Sequence, residues 1–187
     1  MSIEFDRYAL EYSQLLEDPV RDLFASDAVF FHHRKWMLIR NFFAQQKVDC
    51  SRLSWLDVGC GQGDLLRLAG DNFAKAVGCD PSVKMIQCGG SAQVVEQPSA
   101  AKLPFADNSF DFVTAVCVYH HVHGEDRALL TRSIHRILRP GGVFIVRMAN
   151  GAGKYQPIVN AIENGFEVVE KRTFSHPDAI VLVFRAT

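Results

Sequence analysis

Between residues 56 and 64 the chain reads Leu56-Asp57-Val58-Gly59-Cys60-Gly61-Gln62-Gly63-Asp64, an acid followed by glycines at alternate positions. A glycine-rich turn after an apolar run lets backbone approach a ligand without Cβ interference and aims helix N–H groups at it. A phosphate-cradling loop would continue as Gly-Lys-Ser/Thr, but Asp64 follows Gly63. A dinucleotide fingerprint needs its third glycine at the position that Asp64 occupies. The spacing Gly-x-Gly-x-Gly is neither of these. A second candidate is Asp80, at the end of another apolar run and 21 residues beyond Gly59. An acid past the carboxyl end of a strand can accept both hydroxyls of a ribose. It can also cap the helix opened by Pro81-Ser82, and one carboxylate has oxygens for both roles. On the capping reading, Asp80→Asn should leave stability nearly unchanged.

Histidines and tyrosines supply the remaining candidates. Tyr119-His120-His121-Val122-His123 invites a metal reading, but adjacent histidines at a strand end point to opposite faces and do not readily share an ion. Pocket lining is the expected role and no metal is expected, with His120 the candidate for a general base. His32-His33 are expected to pack or to be solvated. Tyr8 and Tyr12 are four residues apart, so they share one helix face.

The elements that must position these residues follow from periodicity. Residues 1–50 are helical in character, with a start at Asp18-Pro19 and Trp36, Ile39 and Phe43 at helical spacing. The run 51–58 is a buried strand, 63–69 a helix ended by Gly70, and 74–80 a second strand. Pro81-Ser82 opens a helix closed by Gly89-Gly90, and 92–96 is a weak strand. Residues 110–118 are rich in β-branched and aromatic side chains and read as a strong strand. A helix from Gly124 buries Leu130, Ile134 and Ile137 and ends at Pro140-Gly141-Gly142. Then come a strand at 143–146, a short helix at 155–163, and strands at 165–169 and 179–184 with no helix between them. Alternating strands and helices build a mostly parallel sheet covered on both faces, here with a terminal antiparallel hairpin. One α/β domain over 1–187 is expected, with 1–50 a helical cap and 51–187 the core.

Composition narrows the function classes. The chain has 187 residues, 48% hydrophobic, enough for a packed core. Twenty Lys+Arg against 21 Asp+Glu give a net charge of −1, and basic runs such as Arg34-Lys35 are two residues long, so no nucleic-acid partner is expected. No apolar stretch approaches the ~18 residues that span a bilayer, and the first residues lack an apolar signal core. A cytoplasmic protein, monomeric or homodimeric, is the expectation. The five cysteines, at 50, 60, 79, 88 and 117, form no Cys-x-x-Cys pair and read as reduced thiols.

Four segments in order carry a resemblance. They are 56–64; Val77-Gly-Cys-Asp-Pro-Ser82 with Met85; Leu103-Pro-Phe105 with Asp107 and Ser109-Phe-Asp111; and Leu138-Arg-Pro-Gly-Gly-Val-Phe144. Together they resemble the class I S-adenosylmethionine-dependent methyltransferases, in the group related to ubiquinone/menaquinone-biosynthesis methyltransferases. The resemblance implies a Rossmann-like seven-stranded fold, S-adenosylmethionine as cofactor, S-adenosylhomocysteine as product and a small-molecule acceptor. It implies that Gly59, Cys60, Gly61 and Gly63 pass under the cofactor's methionine and ribose portion. Asp57 would hold the loop or the methionine ammonium, and Asp80 with Pro81 would take the ribose. The family usually has an Asp at the adenine amino group; Ser99 stands there, leaving the Ala100 backbone N–H to meet the ring. Cys117 and Val118 would line the sulfonium side. The resemblance also implies that the helix carrying Tyr8 and Tyr12 closes over the cofactor's carboxylate end. Since the connection 149–164 has room for one short helix only, residues 1–17 are expected to form a lid ordered by the cofactor. Two other readings compete: a catalytically silent cofactor-binding regulatory or interaction domain, and a nicotinamide-dependent oxidoreductase, which Asp64 argues against.

Overall fold

The computed structural model describes residues 6, 9, 28–90, 93–99, 101–149, 166–175 and 178–187. Helix α1 spans Ala28–Gln45, strand β1 Ser54–Val58, α2 Asp64–Ala69, β2 Lys75–Asp80 and α3 Val83–Gly89. Strands β3 (Val94–Glu96) and β4 (Phe110–Val116) follow, then α4 (Asp126–Ile137), β5 (Leu138–Ala149), β6 (Phe166–Ser175) and β7 (Asp178–Ala186). The seven strands form one sheet in the order β3-β2-β1-β4-β5-β7-β6. The first five run parallel, and β7 pairs antiparallel with both β5 and β6. This is the Rossmann-like architecture expected, terminal hairpin included.

Alternation of side chains along each strand divides the core in two. Trp55, Phe112, Val143 and Ile145 face α1 and α2, where they meet Trp36, Ile39, Phe43 and Leu65. Leu56, Val58, Val113 and Phe144 face α4 and pack on Leu130, Ile134 and Ile137. The α1 side is cemented by aromatic rings: Phe43 meets Phe112 edge-on at 4.9 Å between centroids, and Trp55 lies 4.9 Å from Phe73. Each such buried side chain contributes about 1.5–3 kcal/mol by leaving water.

Helix α4 ends earlier than expected. Leu138 already pairs with Phe110, and Arg139 to Gly142 form an irregularity before Val143 pairs with Phe112. Pro140 disfavours helical backbone at the residue before it and has no N–H to donate, so the helix stops ahead of the Pro-Gly-Gly stretch. All five cysteines are free thiols. Among the described residues no helix is long and apolar enough to cross a membrane. The helix starting at Asp18-Pro19 and the one at 155–163 lie outside the described residues.

Candidate functional site

The glycine loop leaves the carboxyl end of β1 and is held from three directions. Gly59 and Cys60 both donate their N–H to the Cys79 carbonyl of β2, at 2.7 and 3.1 Å. Gly61 donates its N–H to Asp80 Oδ2 at 2.8 Å. Arg67 reaches back from α2 to the Gln62 carbonyl at 2.6 Å and to the Gly89 carbonyl at 3.0 Å, and it also pairs with Asp64. Gly89 backs the loop so closely that an added Cβ would stand 2.1 Å from the Gln62 oxygen. The sequence marks Gly89 only as a helix end and gives no signal for Arg67.

The alternate glycines serve different ends. All three have left-handed backbone, with φ of +65°, +57° and +80° at 59, 61 and 63. At Gly59 a Cβ would strike Val118 at 2.5 Å, so its bareness admits the segment after β4. Gly63 is the N-cap of α2. At Gly61 an added Cβ meets nothing within 4 Å among the described residues. The bare backbone there faces open space beyond β1 and β2, with Asp80 beside it. Cys60 points the other way, since its sulfur would meet a Cβ at Gly78 of β2, and burial pushes its thiol pKa up.

Asp80 braces the loop and does not cap α3. Ser82 is the cap, accepting from the Met85 N–H at 3.2 Å. Asp80 Oδ1 accepts from the Ser82 N–H at 2.8 Å, so both carboxylate oxygens hold backbone. Strand β2 runs through Asp80, which leaves the first non-strand capping side chain at 82. Burial raises the Asp80 pKa, the Ser82 and Gly61 N–H groups oppose that, and Asp6 adds to it. Expecting stability to be unmoved in Asp80→Asn is therefore corrected: an amide would turn a donor against one of two donors.

Asp57 is 4% exposed, on the α1 face of β1. The Trp55 indole N–H donates to Thr114 Oγ1 at 2.8 Å, and the Thr114 hydroxyl donates in turn to Asp57 Oδ1 at 2.6 Å. Burial raises the Asp57 pKa to about 6, with the Thr114 hydrogen bond and the Lys35 charge pulling it down. Between pH 3.8 and about 6 the folded state binds more protons than the unfolded one, so this group's contribution to stability falls as pH rises. Asn at this position still accepts from Thr114 and carries no charge. Asp57→Asn should therefore be more stable than the parent at pH 7.5 by about 3 kcal/mol, shrinking toward zero near pH 4. Denaturant midpoints at the two pH values check this; an equal or lower midpoint at pH 7.5 would count against a buried, costly carboxylate.

Beyond β4, Cys117 sits at φ +61°. It donates its N–H to the Arg147 carbonyl at 2.8 Å, and its sulfur accepts from Arg147 Nη1 at 2.9 Å. Strand β4 has ended by Val116, so Tyr119 to Val122 form a turn. The expectation that His120 and His121 point to opposite faces fails for that reason, and their rings lie 4.0 Å apart. Burial, then His121, Arg147 and Arg127, lower the His120 pKa to about 4, so the ring is neutral at pH 7. Its Nδ1 is buried with no hydrogen-bond partner among the described residues. Tyr119 is a core residue whose hydroxyl meets Thr131 Oγ1 at 3.0 Å. No group of three or more His, Cys, Asp or Glu that could hold a metal occurs among the described residues.

Ser99 is exposed and takes part in a local turn, its Oγ accepting from the Ala101 N–H at 3.4 Å. The buried Gln97 anchors that turn by donating to the Ser99 carbonyl at 2.7 Å. Ala100, Tyr8 and Tyr12 lie outside the described residues, as does most of the expected lid. Two described residues of that stretch do touch the site. Asp6 accepts from the Ser82 hydroxyl at 2.6 Å, and the Ala9 carbonyl accepts from Gln62 Nε2 at 2.8 Å.

The sheet order and the glycine cradle between β1 and β2 define a Rossmann-like α/β domain. Residues 56–146 match the family model described as a methyltransferase domain. The chain is 34% identical over 155 residues to the ubiquinone/menaquinone biosynthesis C-methyltransferase UbiE of Hahella chejuensis, covering 76% of this chain and 56% of that protein. It is 29% identical over 141 residues to the "Probable tRNA methyltransferase 9B" of Bos taurus, covering 72% of this chain and 30% of that one. Thus the chain spans about half or less of these relatives' own length. Among solved structures, the PH0226 protein of Pyrococcus horikoshii shares the fold over 100% of both chains, with a TM-score of 0.72 at 17% identity. A chain of the complex between the Haloferax volcanii Trm112 methyltransferase activator and a methyltransferase gives 0.70 at 18% identity, covering 98% of this chain and 96% of that one. Residues 56–146 thus carry a methyltransferase-domain match, and the chain is similar to the class I S-adenosylmethionine-dependent methyltransferases of the ubiquinone/menaquinone-biosynthesis group.

Proposed function

We propose that the protein transfers a methyl group from S-adenosylmethionine to a small-molecule acceptor, releasing S-adenosylhomocysteine. The observation that carries this reading is the open cradle over Gly61, closed on one side by Asp80. When bound, S-adenosylmethionine supplies a methyl group made electrophilic by its sulfonium, so the protein's task is alignment and exclusion of water. Gly61 and Gly63 present backbone beneath the cofactor, with Gly59 and Cys60 shaping the loop. Asp80, next to Pro81, keeps lone pairs free of its two backbone bonds for the ribose hydroxyls. Asp57 anchors the loop's entry, and the turn at Ser99 borders the adenine. Cys117 and Val118 face the sulfonium side.

His120 stands past Cys117 with a neutral ring. A pKa of about 4 makes it a weak base at pH 7. The net charge of −1 and the short basic runs favour a small acceptor over a polyanion.

Incubating the protein with methyl-labelled S-adenosylmethionine, a metabolite extract and bulk tRNA in separate reactions tests this reading. Label is expected in the small-molecule fraction and not in tRNA. Label confined to tRNA would give the protein the reaction named for its mammalian relative. Cofactor binding with no transfer in either reaction would favour the silent binding domain.

A further inference from the structure

A cleft separate from the glycine loop lies between α1 and the sheet, bordered by Lys35 and Leu38 of α1, Thr114 and Val116 of β4, Arg147 of β5 and Val181 of β7. Side-chain alternation explains its chemistry. On this face β1 presents Trp55 and then Asp57, β4 presents Phe112 and then Thr114, and β5 presents Val143, Ile145 and then Arg147. An apolar core thus turns polar toward the carboxyl ends of the strands, where α1 sets Lys35 against it.

The charge at position 35 acts on Asp57 without forming an ion pair with it. Its neighbours on α1, Trp36, Ile39 and Phe42, are buried core residues. Among the described residues no carboxylate lies within ion-pairing distance of Lys35. Burial is the largest influence on its ammonium and lowers the pKa; Cys117, Asp57 and Asp64 oppose that, and Arg147 adds to it. Asp57 is already tied to Thr114, and Glu170 of β6, which borders the cleft, has an interaction of its own. Two cations beside apolar walls repel each other and lose hydration, a cost that a bound anion removes. Arg147 also places the cleft next to the cofactor, because its guanidinium holds the Cys117 sulfur, and Val118 follows against Gly59.

We propose that this cleft is the acceptor site, and that the acceptor is a small apolar molecule bearing one oxyanion, of the carboxylate class, held between Lys35 and Arg147. The proposal rests on the methyl-transfer reading above. Leu38, Val116 and Val181 take the apolar part of the molecule, and Arg147 brings its charged end toward the sulfonium side at Cys117.

Three probes with one ring system and different charge test it: 1-naphthoate, 1-naphthylmethanol and 1-naphthylmethylamine. They are titrated calorimetrically into the full chain saturated with S-adenosylhomocysteine. Naphthoate is expected to bind about tenfold or more tighter than the alcohol, with the amine weakest, as for a charge-assisted contact to two cations. Lys35→Met keeps the length of the stem and removes the charge. It should erase the preference for naphthoate and leave S-adenosylhomocysteine affinity unchanged. Lys35→Glu, checked for fold by circular dichroism, should rank the amine first. Equal binding of naphthoate and alcohol by the parent protein, or an undiminished preference in Lys35→Met, overturns the proposal. Failure of the parent protein to bind S-adenosylhomocysteine overturns the methyl-transfer reading, and with it the cleft's role as acceptor site.

Discussion

Gly61→Val should lose about a hundredfold or more in affinity for S-adenosylmethionine while the protein stays folded. The Gly61 N–H is fixed on Asp80 Oδ2 at 2.8 Å, so the direction in which a side chain would project is fixed as well. That direction is empty within 4 Å among the described residues, and a valine would fill the cradle without striking them. The substitution also carries a backbone cost, since φ is +57° and left-handed backbone costs a residue with a Cβ about 1–2 kcal/mol, more when it is β-branched. Gly141→Val supplies the control. Its φ is +76° and its Cβ position is likewise open, but it lies before Val143 at the opposite end of the parallel strands. Both variants should therefore lose thermal stability to a similar extent, and only the first should lose the cofactor. Calorimetric titration beside thermal melts reads both quantities. Parent-like affinity in Gly61→Val would remove the loop from the cofactor site.

That loop was legible because its signal is local: glycine type and spacing dictate the backbone whatever packs around it. The strands were legible for a similar reason, as β4 and β5 are runs of β-branched and aromatic residues that suit a pleat. Their alternation even places Asp57, Thr114 and Arg147 on one face, a relation that can be read from residue parity once the strands are aligned. What could not be read was whatever depends on an angle between elements. Lys35 borders the cleft through the packing of α1 on the sheet, and no spacing within 28–45 marks it out from Arg34 or Arg40. Gly89 and Arg67 matter through contacts with Gln62 across the chain. The histidine pair failed for a boundary: β4 stops at Val116, and a turn brings together rings that a strand would separate. The cap assignment failed for a competition between residues of one type. Asp80 and Ser82 can both cap α3, and the loop's demand for an acceptor at Gly61 claims the first and leaves the second.

The same competition makes Asp80→Asn the variant in which binding and stability should fall together. The carboxylate is 8% exposed, and each oxygen already accepts one backbone N–H at 2.8 Å, from Ser82 and from Gly61. An ionised carboxylate has further lone pairs, so it can hold the loop and accept ribose hydroxyls at once. Asn keeps one acceptor oxygen and sets its NH₂ against the N–H of one of the two partners. Leaving a buried donor unmatched costs about 1–3 kcal/mol, and removing the charge that burial disfavours offsets part of that loss. For the cofactor, losing charge-assisted bonds to two hydroxyls should cost about 2–4 kcal/mol, or about thirty- to a thousandfold in Kd. Ser82→Ala separates the two roles. It removes the α3 cap and the contact with Asp6, which should cost about 1 kcal/mol of stability, but it leaves the Asp80 carboxylate in place and so should retain cofactor affinity. Denaturant unfolding and calorimetric titration of both variants give the answer. If Asp80→Asn loses stability and binds S-adenosylmethionine as the parent does, the carboxylate is a brace for the glycine loop and takes no part in holding the ribose.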